Sequence, residues 1–103
     1  MSKIKKACKC KSIEEVREQI DIIDFELIEL FAKRYEYVKE IVKFKEKSED
    51  AIIASERKKH VIEQRSKWAS QLGLDQEAYA KFFTYLIEHN ISKELEIFEK
   101  TNK

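Results

Sequence analysis

Apolar residues recur every three or four positions from Ile13 to about Lys47, which predicts one long amphipathic helix. Ser12 precedes this helix and Glu15 follows three residues later, the spacing of a capping box. The apolar stripe consists of Ile13, Ile20, Leu27, Phe31, Val38 and Ile41, widened by Val16, Ile23, Leu30 and Val42. At 1.5 Å per residue, about 35 residues give a helix of roughly 50 Å.

A helix of this length is too long for the rest of the chain to cover. A compact domain of 100 residues has a radius of gyration of about 13 Å, so most of the apolar stripe needs another partner. An antiparallel second copy of the chain supplies one, because two-fold dimers are the commonest oligomers and the stripe runs along the whole helix. The pattern therefore predicts an intertwined homodimer.

Two further helices are predicted after a loop at residues 48 to 55 (SEDAIIAS). The second helix runs from Glu56 to Leu72, and Gly73 ends it as a left-handed cap. Asp75 caps a third helix that continues almost to the C-terminus. The core is expected to include Val61, Ile62, Ala69, Ala78, Leu86 and Leu95, together with Trp68 and the phenylalanines.

The composition supports an all-α fold in one domain. The 103 residues include no proline and one glycine, so the turn chemistry of sheets is almost absent. Hydrophobic residues make up 43% and charged residues 40%, which is typical of a folded domain and not of a disordered chain. We expect residues 1–11 to be a flexible basic tail and residues 12–103 to form the helical domain.

The balance of charge argues against a nucleic-acid-binding protein. Twenty-one Lys and Arg against 20 Asp and Glu leave a net charge of +1, and the two signs are interleaved. The exception is the start of the chain, a cluster of Lys3, Lys5, Lys6, Lys9 and Lys11. It is best interpreted as a solvated segment, with an anionic partner as the alternative.

Neither a metal site nor a membrane segment is indicated. Cys8 and Cys10 lack a second cysteine pair or a nearby histidine, so they are expected to be reduced thiols and not zinc ligands. His60 and His89 also lack a metal-ligand spacing. No apolar run approaches the length of a membrane span or the core of a signal peptide, which makes the cytoplasm the expected compartment.

Four charges interrupt the apolar seam of the first helix: Arg17, Asp24, Arg34 and Lys45. They could fix the register of a dimer, pair with one another or extend to solvent, or the cations could bind an anion. Arg17 and Arg34 are about 25 Å apart along the helix, too far to hold one small ligand from a single chain. In an antiparallel dimer they could do so together, and Lys45 lies only about 16 Å from Arg34.

Polar residues also enter the apolar row of the third helix, where Asn90 and Glu94 lie one turn apart beside Phe83 and Ile87. At the start of the second helix, the charge of Glu56 is suited to the helix dipole. The sequence contains no nucleophile motif, phosphate-binding loop or dinucleotide fingerprint.

Several of these segments resemble the all-α chorismate mutase family. They are VREQIDIID at 16–24, KRYEYVK at 33–39, FK at 44–45, SER at 55–57, GLD at 73–75 and IExxI at 87–91. The isochorismate-pyruvate lyase branch is more similar, through CxSxxEVRxxID at 10–21, YVKxxxxFK at 37–45, AIxAxER at 51–57 and RxxWAxxxGLD at 65–75. Ile52 and Ser55 stand where typical mutases have polar, charge-bearing residues.

The resemblance implies an enzyme that rearranges or cleaves chorismate or isochorismate in sites shared between two chains and without a cofactor. Arg17 would serve the partner's site and Arg34 and Lys45 the site of their own chain, with Lys45 at the ether oxygen of the substrate. Glu94 replaces a glutamine that in many members donates a hydrogen bond to that oxygen, and Glu56 and Asn90 would bind substrate. Lyase-like activity is favoured; a dedicated mutase and a catalytically inactive helical dimer with a regulatory or interaction role are the alternatives.

Overall fold

The computed structural model describes residues 5–45 and 54–101, and three α-helices account for most of them. Helix α1 is Ile13–Ile41, α2 is Ser55–Gln71 and α3 is Gln76–Thr101, with short 3₁₀ turns at Ala7–Lys9 and Val42–Phe44. The described residues contain no strand, which confirms the all-α prediction. The chain divides into a unit that ends at Glu36 and a unit that begins at Tyr37. Most of the predicted 48–55 loop lies outside the described residues.

The start of α1 is capped by Ser12 as the sequence predicts, but the Glu15 carboxylate accepts from Lys11 and not from Ser12. The Glu15 N–H donates to Ser12 Oγ at 3.2 Å, while the Glu15 carboxylate accepts from the backbone N–H of Lys11 and from Lys5 Nζ. The hydrogen bond from Lys11 and then that from Lys5 lower the pKa of Glu15, because both favour its ionised form. Lys5 N–H also donates to Gln19 Oε1 at 2.7 Å, so residues 5–11 are tied to the first two turns of α1.

The predicted end of the first helix near Lys47 is wrong. Helix α1 ends at Ile41, tightens into the 3₁₀ turn Val42–Phe44, and gives way to extended backbone at Lys45 (φ −82°, ψ 150°). Helices often tighten in this way where their last carbonyl groups lose intrahelical partners. Over three residues, a helix with 3.0 residues per turn rotates about 60° further than one with 3.6, and so short a change does not show in the apolar pattern.

Helices α2 and α3 form a hairpin with a core of its own. Gly73 is left-handed (φ 82°), its N–H donates to Ser70 O, and the Leu74 N–H donates to Ala69 O at 2.9 Å, which together form a Schellman motif. Asp75 Oδ1 accepts the Ala78 N–H at 2.9 Å, so both predicted caps are confirmed. The most buried apolar side chains are Val61, Ala69 and Ile87.

The prediction that Trp68 and the phenylalanines are all core residues is wrong. Trp68 is 49% exposed and lies under the Arg65 guanidinium, 4.7 Å from the ring centroid, and Phe25, Phe44 and Phe82 are also exposed. The stripe of α1 is uncovered as well, at Ile13, Val16, Ile20, Ile23, Leu27, Leu30 and Ile41. Hydrophobicity predicts that such side chains tend to be buried, but not which chain buries them. Among the described helices, none is apolar over a membrane-spanning length.

Candidate active site

The centre of the candidate site is an ion pair between Lys45 and Glu94. The Lys45 ammonium group donates to Glu94 Oε1 at 2.8 Å, and the two side chains are only 18% and 7% exposed. The 3₁₀ turn that precedes Lys45 packs against α3, which brings together two residues 49 positions apart in the sequence. Charges are desolvated at a cost of several kcal/mol each, so a buried pair of this kind requires a specific reason.

Asn90 extends the polar character of this part of α3. It lies one turn before Glu94, and both are buried although they share their helix face with the apolar Ile87. Each buried polar side-chain atom in the part of the chain that the structure describes has a hydrogen-bond partner. The unit that begins at Tyr37 therefore holds Lys45, Glu94 and Asn90 largely away from solvent, and a substrate could replace Glu94 as the partner of Lys45.

Glu56 lies in the first turn of α2 and is exposed. Its charge is favourable at that end of the helix, so the local structure agrees with a role at the helix dipole as well as with substrate binding. The residue before the helix, Ala54, is left-handed (φ 44°, ψ 59°) and makes no side-chain cap. That conformation costs a residue with a side chain about 1–2 kcal/mol.

The two arginines of α1 are placed as the spacing predicts. Arg17 is exposed and Arg34 is half-buried and takes part in an interaction. Because 17 residues of one continuous helix separate them, they lie about 25 Å apart and cannot contact one small molecule together from one chain.

The remaining candidate ligand residues have ordinary surroundings. His89 stacks on Tyr85, with the rings nearly parallel and 6.4 Å apart, and His60 lines a shallow concavity on the outer face of α2. Cys8 and Cys10 are free thiols. Residues 5–45 and 54–101 contain no group of three side chains that could hold a metal ion.

Helical periodicity by itself missed two features of this region. It did not predict that Lys45 and Glu94 are bonded to each other, because a contact across 49 residues depends on how the helices pack; the family resemblance had implied only that both lie at the ether oxygen of the substrate. It also missed the burial of Ser66, whose hydroxyl donates to Glu63 O at 3.0 Å. Serine hydroxyl groups donate to a carbonyl of the preceding turn in many helices, so a serine in the sequence does not indicate whether it is buried.

Comparison with known proteins identifies the family. Residues 16–95 match the model of the chorismate mutase type II family. An isochorismate pyruvate lyase from Pseudomonas aeruginosa is 33% identical over 92 residues, which cover 89% of this chain and 90% of that protein. A chorismate mutase from Methanocaldococcus jannaschii is 29% identical over 91 residues, which cover 88% of this chain and 92% of that protein. The matched region contains Arg17, Arg34, Lys45, Glu56, Asn90 and Glu94, and the chain belongs to the chorismate mutase type II family.

Proposed function

We propose that this protein is a pericyclic enzyme that converts isochorismate to salicylate and pyruvate, with conversion of chorismate to prephenate as a second activity of the same site. The observation that carries the proposal is the largely buried Lys45–Glu94 pair, which holds an ammonium group away from solvent in a chain that matches the family over residues 16–95. The greater similarity to an isochorismate pyruvate lyase supports the order of the two activities.

Both reactions are intramolecular, so the protein has to orient the substrate and stabilise charge. In each, the ether C–O bond breaks. The lyase reaction moves a ring hydrogen to the methylene carbon of the enolpyruvyl group, which leaves as pyruvate while the ring becomes aromatic. The mutase reaction instead forms a new carbon–carbon bond to the ring. Neither needs a cofactor, because folding the side chain over the ring and stabilising the ether oxygen lower the barrier.

The roles of the charged residues follow from this chemistry. Arg17 of one protomer and Arg34 of the other bind the two carboxylates, for which the planar guanidinium group is suited. Lys45 stabilises the negative charge that develops on the ether oxygen. Asn90 and Glu56 bind the remaining polar groups of the substrate, among which the ring hydroxyl suits the carboxylate of Glu56.

Glu94 has two possible states in this scheme. In the free chain its carboxylate accepts a hydrogen bond from Lys45. To donate a hydrogen bond to the ether oxygen it must carry a proton, and an ionised carboxylate would repel the charge that develops there. We propose that the substrate takes Lys45 away from Glu94 and that Glu94 then acts as a protonated donor.

A homodimer with shared sites completes the proposal. The uncovered stripe of α1 supplies an apolar surface for an antiparallel copy, and antiparallel pairing brings Arg17 of one protomer toward Arg34 of its partner. An Arg17→Ala chain refolded with an Arg34→Ala chain should recover up to about a quarter of the wild-type activity, because half the dimers are mixed and each has one intact site. A mixture as inactive as either parent would contradict shared sites.

Two alternatives remain testable beside this proposal. A dedicated mutase would use chorismate and leave isochorismate unchanged. A catalytically inactive dimer would use neither, although such a dimer has little use for cations in its seam. We assign the enzyme to the cytoplasm, where free thiols such as Cys8 and Cys10 remain reduced, and we propose neither a nucleic-acid nor a membrane partner.

The deciding experiment is to incubate the purified protein separately with chorismate and isochorismate and to identify the products by chromatography. We expect salicylate and pyruvate in equal amounts from isochorismate, and prephenate at a lower rate from chorismate. The Lys45→Ala protein is the control for uncatalysed conversion. Prephenate alone would establish the mutase, and no product above the control from either compound would contradict an enzymatic function.

A further inference from the structure

Two left-handed residues stand at the two ends of α2, and only one of them is glycine. Gly73 (φ 82°) ends the helix, in a conformation that glycine adopts without strain. Ala54 (φ 44°, ψ 59°) precedes the helix and has the same handedness with a Cβ atom. A strained residue persists only where its surroundings enforce the conformation, and such residues cluster at functional sites.

The backbone of Ala54 sets the first turn of α2. Its carbonyl accepts the Lys58 N–H at 2.9 Å, the first hydrogen bond of the helix, and no side chain caps this end. Glu56 is the second residue of α2, so the conformation of Ala54 fixes the position from which the Glu56 carboxylate extends. We propose that Ala54 is a positioning residue for Glu56 and thereby sets the preference of the site between chorismate and isochorismate.

This inference rests on the proposed function and concerns the position of the ring hydroxyl group, which differs between the two compounds together with the positions of the ring double bonds. Both have a ring carboxylate and an enolpyruvyl ether in the same relation. The ring hydroxyl lies opposite the ring carboxylate in chorismate and next to it in isochorismate. Once the arginines hold the carboxylates, an acceptor at one fixed position can bond only one of the two hydroxyl groups. Sites built to bond a hydroxyl group discriminate strongly against a substrate that cannot supply it there.

The test is to replace Ala54 by glycine, which relieves the strain but leaves the backbone free to vary. We expect Ala54→Gly to keep or raise the thermal midpoint of unfolding. The ratio of kcat/KM for isochorismate to that for chorismate should move by at least about threefold toward the less favoured compound, since a loosely held acceptor discriminates less. For a compound that is bound but not converted, the reciprocal of its inhibition constant replaces kcat/KM, and the ratio is compared with that of the wild-type protein.

Gly73→Ala is the matched control at the other end of α2. Its Cβ would meet no atom within 4 Å, but its left-handed backbone is strained by any side chain, so the midpoint of unfolding should fall. The ratio should stay at the wild-type value, because Gly73 does not precede a residue proposed to bind substrate. An altered ratio in Gly73→Ala would show that any disturbance of α2 changes selectivity and would overturn the assignment to Ala54.

A double variant separates positioning from a general structural effect. Glu56→Gln should itself shift the ratio, and adding Ala54→Gly to it should cause no further shift, because Ala54 acts through Glu56. Additive shifts, or an unchanged ratio in an active Ala54→Gly protein, would overturn the inference while leaving the enzymatic function intact. A wild-type protein that converts neither compound would overturn the proposed function first, and this inference with it.

Discussion

Helix α1 and the α2–α3 hairpin both carry apolar side chains along one face, but only the hairpin buries some of them fully. The hairpin has a core at Val61, Ala69 and Ile87, and Glu94 on α3 forms a largely buried ion pair with Lys45. No residue of α1 is fully buried, although its stripe consists mainly of isoleucine, leucine and valine side chains. The difference indicates that the hairpin has a core of its own, whereas α1 presents exposed apolar side chains of the kind that mark interaction surfaces.

A charge in the middle of the α1 stripe is expected to have the largest effect, because it tests whether this stripe is a dimer interface. Leu27→Glu would place an ionised carboxylate in each half of an antiparallel interface, and desolvating unpaired charges costs several kcal/mol. We expect dimers to dissociate at least about 100-fold more readily, and activity to be lost with them. Sedimentation velocity over a range of concentrations measures the change. Leu72→Glu is the control: Leu72 is 81% exposed at the end of α2 and off the stripe, so that variant should remain dimeric.

Lys45→Ala tests the buried ion pair of Lys45 and Glu94. It should reduce kcat by about 100-fold or more, the usual effect of removing such a donor. Because Lys45 acts mainly on charge that develops in the transition state, kcat should fall more than KM rises. Steady-state kinetics with the preferred substrate separates the two. The control is Lys43→Ala, whose charge pairs with Glu40 in an exposed bridge and is expected to be dispensable. A Lys45→Ala protein with unchanged kcat would remove Lys45 from the chemistry.

Glu94→Gln should change the pH profile more than the maximal rate. If Glu94 donates a hydrogen bond only when protonated, the wild-type kcat falls as the pH rises through the ionisation of the bound enzyme. Glutamine donates at every pH, so the variant should have a flat profile and equal or higher activity near neutrality. Rates between about pH 5 and 8 provide the measurement. A flat wild-type profile together with an inactive Glu94→Gln protein would show that the ionised carboxylate is required.

The smallest effect is expected at the start of α1, where Glu15 accepts hydrogen bonds from Lys11 and Lys5. These bonds lower the pKa of Glu15 below its unfolded value, so its contribution to stability is present at neutral pH and is lost as the pH falls through the folded pKa. Glu15→Gln should therefore lower the midpoint of thermal unfolding slightly at neutral pH and leave it unchanged in acid. Glu14→Gln, one residue away, is the matched control. An equal effect of Glu15→Gln at both pH values would contradict the assignment.

Local features were predictable from the pattern of residues along the chain, whereas long-range contacts were not. Gly73 and Asp75 predict the turn between α2 and α3 because helix capping depends on neighbouring residues. The structure confirms both caps. The pairing of Lys45 with Glu94 and the exposure of Trp68 depend on packing between distant segments, which periodicity does not encode. Nothing in the sequence predicts the left-handed conformation of Ala54, since alanine rarely adopts it.

Because residues 5–11 are attached to α1, a spin label on this segment can measure the distance between two copies of the helix. Cys8 is exposed and lies in a turn held to the first helical turns by the hydrogen bonds of Lys5 and Lys11. A nitroxide attached there, in a Cys10→Ser background, would report the separation of the two chain starts by electron–electron dipolar coupling. Helices of 29 residues are about 43 Å long, so antiparallel pairing gives a long distance between labels and parallel pairing a short one.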